Sequence, residues 1–344
     1  MAAIRLFLLA ILLMVQLLGC QELLSQSSEV EFRDHDSLQR IEVYVAGEFF
    51  TAYRYEGGHL KKPIIYPILT ADGTPVTRGY PLDPRPGERI DHPHHMGLWF
   101  NHGDVNDLDF WNNSTARPAE QRAHYGHITH EEILQMEHGV LQVQKAWRRP
   151  DSSILLDEVT QFTLSGGDGY RLIDHHSTLT AREQVVFEDS KEGMFAIRVR
   201  RELELPEEKA IVLLDETLTP LPKQINNEGL SGNYLNSEGA EGNDVWGQRA
   251  RWMALSGVVN DESITILMMS APENPNYPPH WMARGYGLFA VNPLGSEVYT
   301  DGQETLNLTL EGGESVSFRH RVVIYSGEKP EQEELEEAFE EFCK

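Results

Sequence analysis

The chain has 344 residues, and its 54 acidic residues against 29 lysines and arginines give a formal net charge of −25. Binding to the phosphate backbone of a nucleic acid depends on lysine and arginine side chains, so this balance argues against that class of function. It also argues against adsorption to an anionic membrane surface. The length is sufficient for one large hydrophobic core or two modest ones.

The first residues are typical of a secretory signal. Arg5 precedes an apolar run over residues 6–18, and a transmembrane helix needs about 20 apolar residues, so the run is too short to span a membrane comfortably. We therefore predict a signal peptide over residues 1–19. An uncleaved signal anchor is the alternative interpretation.

The end of the signal resembles a bacterial lipobox, because Leu17-Leu18-Gly19 leads directly to Cys20. We predict that Cys20 carries lipid and that residues 20–31 form a polar tether. Gln21, where an aspartate would signal retention in the inner membrane, indicates a lipid-anchored protein of the outer membrane in the bacterial cell envelope. Cys343 is the second of two cysteines, so a lipidated Cys20 leaves no disulfide to hold the fold.

Strand patterns recur along most of the chain. Apolar and polar residues alternate with a period of two, which places the apolar residues on one face of a strand. The segments with strand-like patterns are residues 41–45, 140–147, 154–164, 170–180, 195–200, 306–310 and 316–324. Strands and helices do not alternate, so the sequence predicts an all-β fold, a large antiparallel β-supersandwich, as one domain over residues 32–344.

One helix is predicted at the end of the chain. Leu335, Ala338, Phe339 and Phe342 recur at positions i, i+3, i+4 and i+7, which is the spacing of an apolar stripe on a helix. We expect this C-terminal helix to pack on the sandwich through that stripe. Its glutamates are expected to face solvent.

Two segments, residues 70–122 and 222–247, lack a strand pattern and are too long for ordinary turns. Long irregular segments within compact domains are usually functional or disordered. Both segments place aromatic residues beside polar ones, so we expect each to form an ordered wall of a binding site.

Residues 91–104 are the most informative segment, with four histidines and two aspartates among 14 residues. Imidazole titrates near neutral pH and binds metals, so the segment is a candidate site for acid–base chemistry. Pro93 is expected to keep His92 extended, with His92 and His94 on one side and His95 on the other. The candidate catalytic histidines are His92, His94, His95 and His102.

Two other interpretations of these histidines stay open. Two of them could bind a divalent metal, with His102 or Asp104 completing the shell, although no HExxH spacing is present. They could instead hydrogen-bond to backbone carbonyls within an ordered loop. No organic cofactor is predicted, because no phosphate-binding glycine motif accompanies a strand–helix–strand pattern.

The aromatic and carboxylate residues outside this segment suit a sugar ligand, because an indole stacks on the C–H face of a sugar while polar side chains bind its hydroxyls. Glu238, in an irregular segment, is predicted to be the base that opposes a histidine; an exposed turn glutamate is the alternative. The predicted substrate-binding residues are Trp99, Asp104, Trp111, Tyr234, Asn236, Arg249, Trp281, Arg284 and Tyr286.

Four separated motifs together resemble one family of secreted bacterial proteins. The motifs are DHPHHMGLWF from Asp91, NHGDV from Asn101, KEGMFAIRV from Lys191 and ARGYGLF from Ala283. The chain is similar to the "PmoA-like" family, also labelled methane oxygenase PmoA. The resemblance implies a galactose-mutarotase-like, aldose-epimerase-like β-supersandwich. Met282 departs from it, since the family pattern has a histidine there, and any chemical role of that histidine would be lost or moved here.

These observations predict an envelope lipoprotein that acts on a carbohydrate or a sugar-derived acid. The reaction would be an epimerisation, elimination or hydrolysis with proton transfer by a histidine and Glu238, and the membrane would be contacted only through the lipid. A non-catalytic glycan-binding lipoprotein is the alternative. A metal-dependent oxygenase, as the family label suggests, is a second alternative.

Overall fold

A computed structural model of the protein describes residues 28–344. The predicted signal peptide and Cys20 lie outside these residues. The described part is built from two eight-stranded antiparallel sheets that pack face to face. The predicted all-β fold, a large antiparallel supersandwich with a C-terminal helix, is thereby confirmed.

Within each sheet, the strands lie side by side in an order that differs from their order in the chain. The first sheet contains β1 (Val30–His35), β2 (Arg40–Val45), β3 (Glu48–Arg54), β4 (Ile64–Ile68), β5 (Leu98–His102), β11 (Gly193–Arg198), β16 (Leu288–Asn292) and β15 (His280–Arg284). The second sheet contains β12 (Asn233–Asn236), β13 (Trp252–Val259), β14 (Glu262–Ser270), β18 (Ser315–Ser326), β9 (Tyr170–Ala181), β8 (Ile154–Gly167), β7 (Val140–Arg148) and β6 (His127–Glu137). A small ribbon pairs β10 (Val185–Phe187) with β17 (Leu308–Leu310), and the α-helices are α1 (Ser296–Tyr299) and α2 (Gln332–Phe342).

The main core lies between the two sheets and follows from the alternation of apolar residues along the strands. Phe195 and Ile197 of β11 and Val291 of β16 project from the first sheet into the same core as Phe318 and Val322 of β18. All of these side chains are fully buried. Burial of apolar area on this scale is the main stabilising contribution to such a fold.

Helix α2 covers the outer face of the second sheet. A capping box between Glu331 and Glu334 starts the helix by satisfying backbone N–H groups of its first turn. Leu335, Phe339 and Phe342 are buried in a separate apolar cluster on that face. The predicted apolar stripe is therefore the face that packs.

Both segments predicted to be irregular contain a strand, which corrects the sequence analysis. β5 lies within residues 70–122, and β12 lies within residues 222–247. All five residues of β5 are buried, because loops cover its outer face, so no alternation between apolar and exposed positions marks it. β1 begins at Val30, inside the predicted tether. Within residues 28–344, no helix combines the length and apolarity that a membrane span requires.

Loops cover much of the outer face of the first sheet. Trp99 of β5 and Met282 of β15 are buried there together with Trp111 from the loop after β5. Gly97 joins this covering loop to β5 with a φ of +59°, and a Cβ at that position would lie 2.3 Å from the carbonyl oxygen of Ile65. Only glycine fits that combination of backbone conformation and close approach.

A buried ion pair stabilises the second sheet from inside the sandwich. Lys145 of β7 lies directly opposite Glu158 of β8, with Nζ 2.6 Å from Oε1. The indole of Trp147 and the hydroxyls of Thr160 and Ser177 also donate to the Glu158 carboxylate, at 2.7, 2.6 and 2.9 Å. The carboxylate is therefore fully partnered, as a buried charge must be.

Replacing Lys145 with methionine should destabilise the fold strongly, because it leaves the Glu158 carboxylate buried without its cation. We expect a loss of about 3–5 kcal/mol in the free energy of unfolding, measured by urea denaturation. Arg182→Met is the matched control: it removes the partner of Asp157 at an exposed position and should cost less than about 1 kcal/mol. Similar small losses for both variants would contradict a structural role for the buried pair.

Candidate functional site

A buried ion cluster lies where the loop before β5 crosses the outer face of the first sheet. Arg78 from the loop and Arg198 from β11 each place a guanidinium nitrogen 2.9 Å from Oδ1 of Asp91. Arg89 Nε lies 3.0 Å from Oδ2 of the same carboxylate. Burial alone would raise the pKa of Asp91, but these arginines and His92 outweigh it and hold that pKa well below its usual range.

Arg78 also shapes the backbone of the loop. Its guanidinium donates to the carbonyl oxygens of Asp91, His92 and His95 at 2.8, 2.8 and 3.0 Å. A turn closes between them, because the backbone N–H of His95 donates to the His92 carbonyl at 3.0 Å.

The conformation of His92 corrects the prediction that Pro93 keeps it extended. His92 has a φ of +43°, in the left-handed region that costs a non-glycine residue about 1–3 kcal/mol. The three carbonyls that converge on Arg78 outweigh the local preference set by the proline. Residues held this way cluster at functional sites, which makes His92 a candidate on structural grounds.

Four rings form a continuous stack beside the ion cluster. Tyr286 stacks on His92 with centroids 5.0 Å apart, His92 on His95 at 4.9 Å, and His95 on Trp99 at 5.4 Å. His94 packs edge-on against His95 at 4.3 Å. The turn thus brings His92, His94 and His95 together, which corrects the prediction that they point to opposite sides.

His92, His94 and His95 differ in protonation state or in accessibility to a ligand. Arg198 donates to Nδ1 of His95 at 3.2 Å, and a guanidinium cannot accept, so the single proton of His95 sits on Nε2. Burial lowers the pKa of His95 well below its usual range and that of His94 to about 2. Both imidazoles are therefore neutral at physiological pH.

His92 is the accessible member of the group, with 40% of its side chain exposed. Its Nδ1 is buried 3.3 Å from Oδ2 of Asp91. The contact is an electrostatic one without hydrogen-bond geometry, and a proton on Nδ1 beside the carboxylate would leave Nε2 for a ligand. A carboxylate behind an imidazole is the usual arrangement for proton transfer by histidine.

A cleft of about 750 Å³ opens beside Tyr286. The Arg284 guanidinium lies 3.2 Å from the centre of the Trp246 ring, a cation–π contact that fixes both side chains as one wall. Glu207 lines the cleft and is held by Arg89, with Nη1 2.8 Å from Oε1. The ion cluster and the cleft are therefore adjacent. The cleft wall includes Glu207, Asn227, Asn243, Trp246, Arg284 and Tyr286.

Other predicted site residues lie elsewhere. His102 is fully buried, and its Nε2 is 2.7 Å from the carbonyl oxygen of Glu188; burial lowers its pKa to about 4. Asp104 follows it along the chain, beside Asp107 and Glu188. Neither residue joins the turn at His92–His95.

Glu238 is not brought to the histidines, which corrects the predicted pairing. It is exposed at the turn after β12, where its carboxylate accepts from Ser237 Oγ at 2.9 Å. Burial raises the pKa of Tyr277, and the charge of Glu238 adds a small contribution to that increase. Tyr277 packs in the cluster under α2 on the outer face of the second sheet. The histidines lie on the outer face of the other sheet.

Most of the predicted binding wall is structural. Trp281 and Tyr234 are fully buried in the main core, and Asn236 accepts two backbone N–H groups of its own turn. Arg249 pairs with Glu304 at 2.7 Å. Trp99 and Trp111 are buried beneath the loops of the first sheet. Arg284 and Tyr286 are the predicted binding residues that line the cleft.

The arginines and the carboxylate that organise the site were not predicted from the sequence. Arg198 stands in the quoted motif KEGMFAIRV and Asp91 begins the motif DHPHHMGLWF, so both were marked by position but not by role. Arg78, Arg89 and Glu207 carried no such signal. Within residues 28–344, no three histidine, cysteine, aspartate or glutamate side chains are grouped as a metal site would require.

The fold and the site together define a two-sheet β-sandwich protein with a ring-lined cleft over the outer face of one sheet. The chain belongs to the "Family of unknown function (DUF6807)", whose model matches residues 40–340. No curated protein matches the chain.

Several solved structures resemble the chain at low similarity. A GH36 α-galactosidase AgaA from Geobacillus stearothermophilus, in complex with raffinose, has 9% identity and a TM-score of 0.38 over 88% of this chain, which spans 41% of that enzyme. A putative aldose 1-epimerase from Escherichia coli K12 has 10% identity and a TM-score of 0.37 over 87% of this chain and 99% of its own. A galactose mutarotase-like protein from Clostridium acetobutylicum has 9% identity and a TM-score of 0.33 over 88% and 99%. Likeness at this level does not identify the reaction of this chain.

Acid should destabilise the protein through its buried histidines. The pKa values of His94, His102 and His320 are lowered by burial to about 2, 4 and 3, against about 6.5 in an unfolded chain. A depressed histidine pKa means that the unfolded state binds the proton first, so stability is lost as pH falls below about 6.5. Each such histidine should contribute about 1.4 kcal/mol per pH unit.

Denaturation of His94→Gln between pH 7 and pH 5 tests this assignment. The slope of unfolding free energy against pH should decrease by about 1.4 kcal/mol per unit below pH 6.5 relative to wild type. His138→Gln, at an exposed position, is the control and should keep the wild-type slope. A slope unaltered by His94→Gln would show that His94 is protonated in the folded state.

Proposed function

We propose that this protein acts on a carbohydrate or a sugar-derived acid in the cleft beside His92. One observation carries the proposal: an accessible imidazole lies beside the Asp91 carboxylate and stacks on Tyr286, and Tyr286 lines a cleft of small-molecule size. The cleft combines an aromatic surface with amide, carboxylate and guanidinium groups. That combination suits a ring with an apolar face and several hydroxyls.

His92 would transfer the proton in this proposal. With a proton on Nδ1 beside Asp91, Nε2 would carry the lone pair that accepts a proton from the substrate and returns it in the reverse step. Glu207, fixed by Arg89, would take the opposing role that the sequence assigned to Glu238. The cationic cluster around Asp91 would stabilise negative charge that develops on the substrate.

Solvent exchange tests the proposed chemistry. Wild-type protein is incubated in D2O with a panel of aldoses and uronates, and proton NMR follows anomer exchange and the loss of C–H signals. His92→Gln and Glu207→Gln should lower the rate by about 100-fold or more. His138→Gln, remote and exposed, should leave it unchanged.

The same panel separates the alternatives. A saturation-transfer NMR signal that shows saccharide binding, with no turnover of that saccharide, would favour the non-catalytic glycan-binding lipoprotein. Full activity of His92→Gln would refute the role of that histidine. The metal-dependent oxygenase suggested by the PmoA-like label stays a prediction, for which elemental analysis of protein purified without chelator is the measurement.

We also propose that the protein is lipid-anchored in the bacterial envelope, through Cys20 and the signal peptide that precedes it. The support is the lipobox-like sequence at residues 17–20. Expression of Cys20→Ser in a Gram-negative host should remove the protein from the outer-membrane fraction, since one residue supplies the lipid attachment. Cys343→Ser is the matched control and should stay with the membrane. Equal membrane association of both variants would contradict lipidation at Cys20.

A further inference from the structure

A second cleft, of about 780 Å³, is lined by residues different from those of the cleft at Tyr286. It opens between the loop after β3, the loop after β5 and the start of β6. Its size is within the range of about 300–1,000 Å³ that is usual for small-molecule sites. None of the site residues selected from the sequence lines it.

The charge of this second cleft is opposite to that of the chain. Lys61, Lys62 and Arg122 line it, and Glu56 is the one carboxylate among its lining residues. Acidic residues outnumber basic ones by 25 in the whole chain, yet none of these three cations forms an ion pair within residues 28–344. The nearby Arg148, by contrast, pairs with Glu131 at 2.9 Å. Lys61 and Arg122 therefore give the cleft positive charge that no ion pair neutralises within residues 28–344.

The remaining lining groups suit a hydroxylated ligand. The Tyr55 ring packs on His130 with centroids 4.4 Å apart, and the Tyr125 ring is held by Arg117 at 5.1 Å. Both tyrosines line the cleft, as do the side chains of Ser114 and Thr115. Fixed aromatic surfaces beside hydroxyl groups are a surface on which a sugar ring can stack and form hydrogen bonds.

Lys62 connects the second cleft to the histidine turn. Its Nζ is buried and donates to the carbonyl oxygen of His94 at 3.0 Å. Burial lowers the pKa of Lys62 to about 7, although Asp109 opposes that effect. An anionic group in the cleft would favour the charged ammonium and with it the hydrogen bond to the turn.

We propose that the second cleft binds an acidic carbohydrate, a uronate-containing saccharide whose carboxylates pair with Lys61 and Arg122. The stacking rings would bind the sugar faces, and the cations would select for carboxylated units over neutral ones. This binding site is independent of the proposed reaction at His92. It would hold an acidic glycan beside the turn that carries the catalytic candidate.

Isothermal titration with defined trisaccharides tests the proposal. The probes are tri-galacturonate and tri-mannuronate, with maltotriose as the uncharged trisaccharide. At least one acidic probe should bind wild-type protein, maltotriose should bind at least about tenfold more weakly, and added sodium chloride should weaken acidic binding because it screens charge. Inorganic phosphate should not displace the bound saccharide at equal concentration.

Charge reversal locates the site. Lys61→Glu and Arg122→Glu should each raise the Kd of the acidic probe about tenfold or more, because they place like charges together. Lys223→Glu, an exposed lysine outside the cleft, is the matched control and should leave the Kd unchanged. His92→Gln should also leave the Kd unchanged, which separates this site from the proposed catalytic one.

Three results would overturn the proposal. They are no binding of either acidic probe, equal binding of maltotriose, and a Kd that is unaffected by Lys61→Glu and Arg122→Glu together. Displacement by phosphate would show a general anion site instead of a carbohydrate site. Loss of acidic binding in His92→Gln with retention in the charge-reversal variants would place the acidic ligand in the first cleft.

Discussion

The carboxylate of Asp91 is the contact on which the candidate site depends. It joins Arg198 of a central strand to Arg78 of the covering loop, two guanidinium groups that are buried almost completely. Buried cations without a partner are strongly destabilising, so the loop can cover the sheet only where this carboxylate stands. Arg78 in turn fixes the path of the loop, because its guanidinium donates hydrogen bonds to three backbone carbonyls of that loop. The left-handed conformation of His92 follows from that convergence.

This arrangement divides the histidines by role. His95 is fixed as a neutral ring by Arg198 and by the rings on each side, so it serves as a rigid support. His92 lies in the same stack between His95 and Tyr286, with 40% of its side chain exposed and one nitrogen near Asp91. A reactive group needs both a fixed orientation and access to the substrate, and His92 is the histidine of this turn that combines stacking with an exposed edge. The dense run of histidines therefore supplies one accessible imidazole and the packing that orients it.

Much of the fold could be predicted from the sequence, because its determinants are local. The period of two along β18 and the stripe of Leu335, Phe339 and Phe342 each define a buried face from neighbouring positions. β5 was not predicted from the sequence because its determinants are not local. Its residues are buried on both faces, and the covering comes from loops distant in the sequence, which no local period encodes.

The site could be predicted only in part, because its geometry depends on which loops meet. The histidine turn and the Arg284–Tyr286 turn were selected from composition and motif, and the structure stacks His92 on Tyr286. Glu238 was paired with them on residue type alone, yet β12 belongs to the second sheet, so the carboxylate emerges near α2. Arg198, by contrast, belongs to the site but was not selected. In an alternating strand, a polar residue is expected to face solvent. Here that face is covered, and the polar side of the strand becomes the buried foundation of the site.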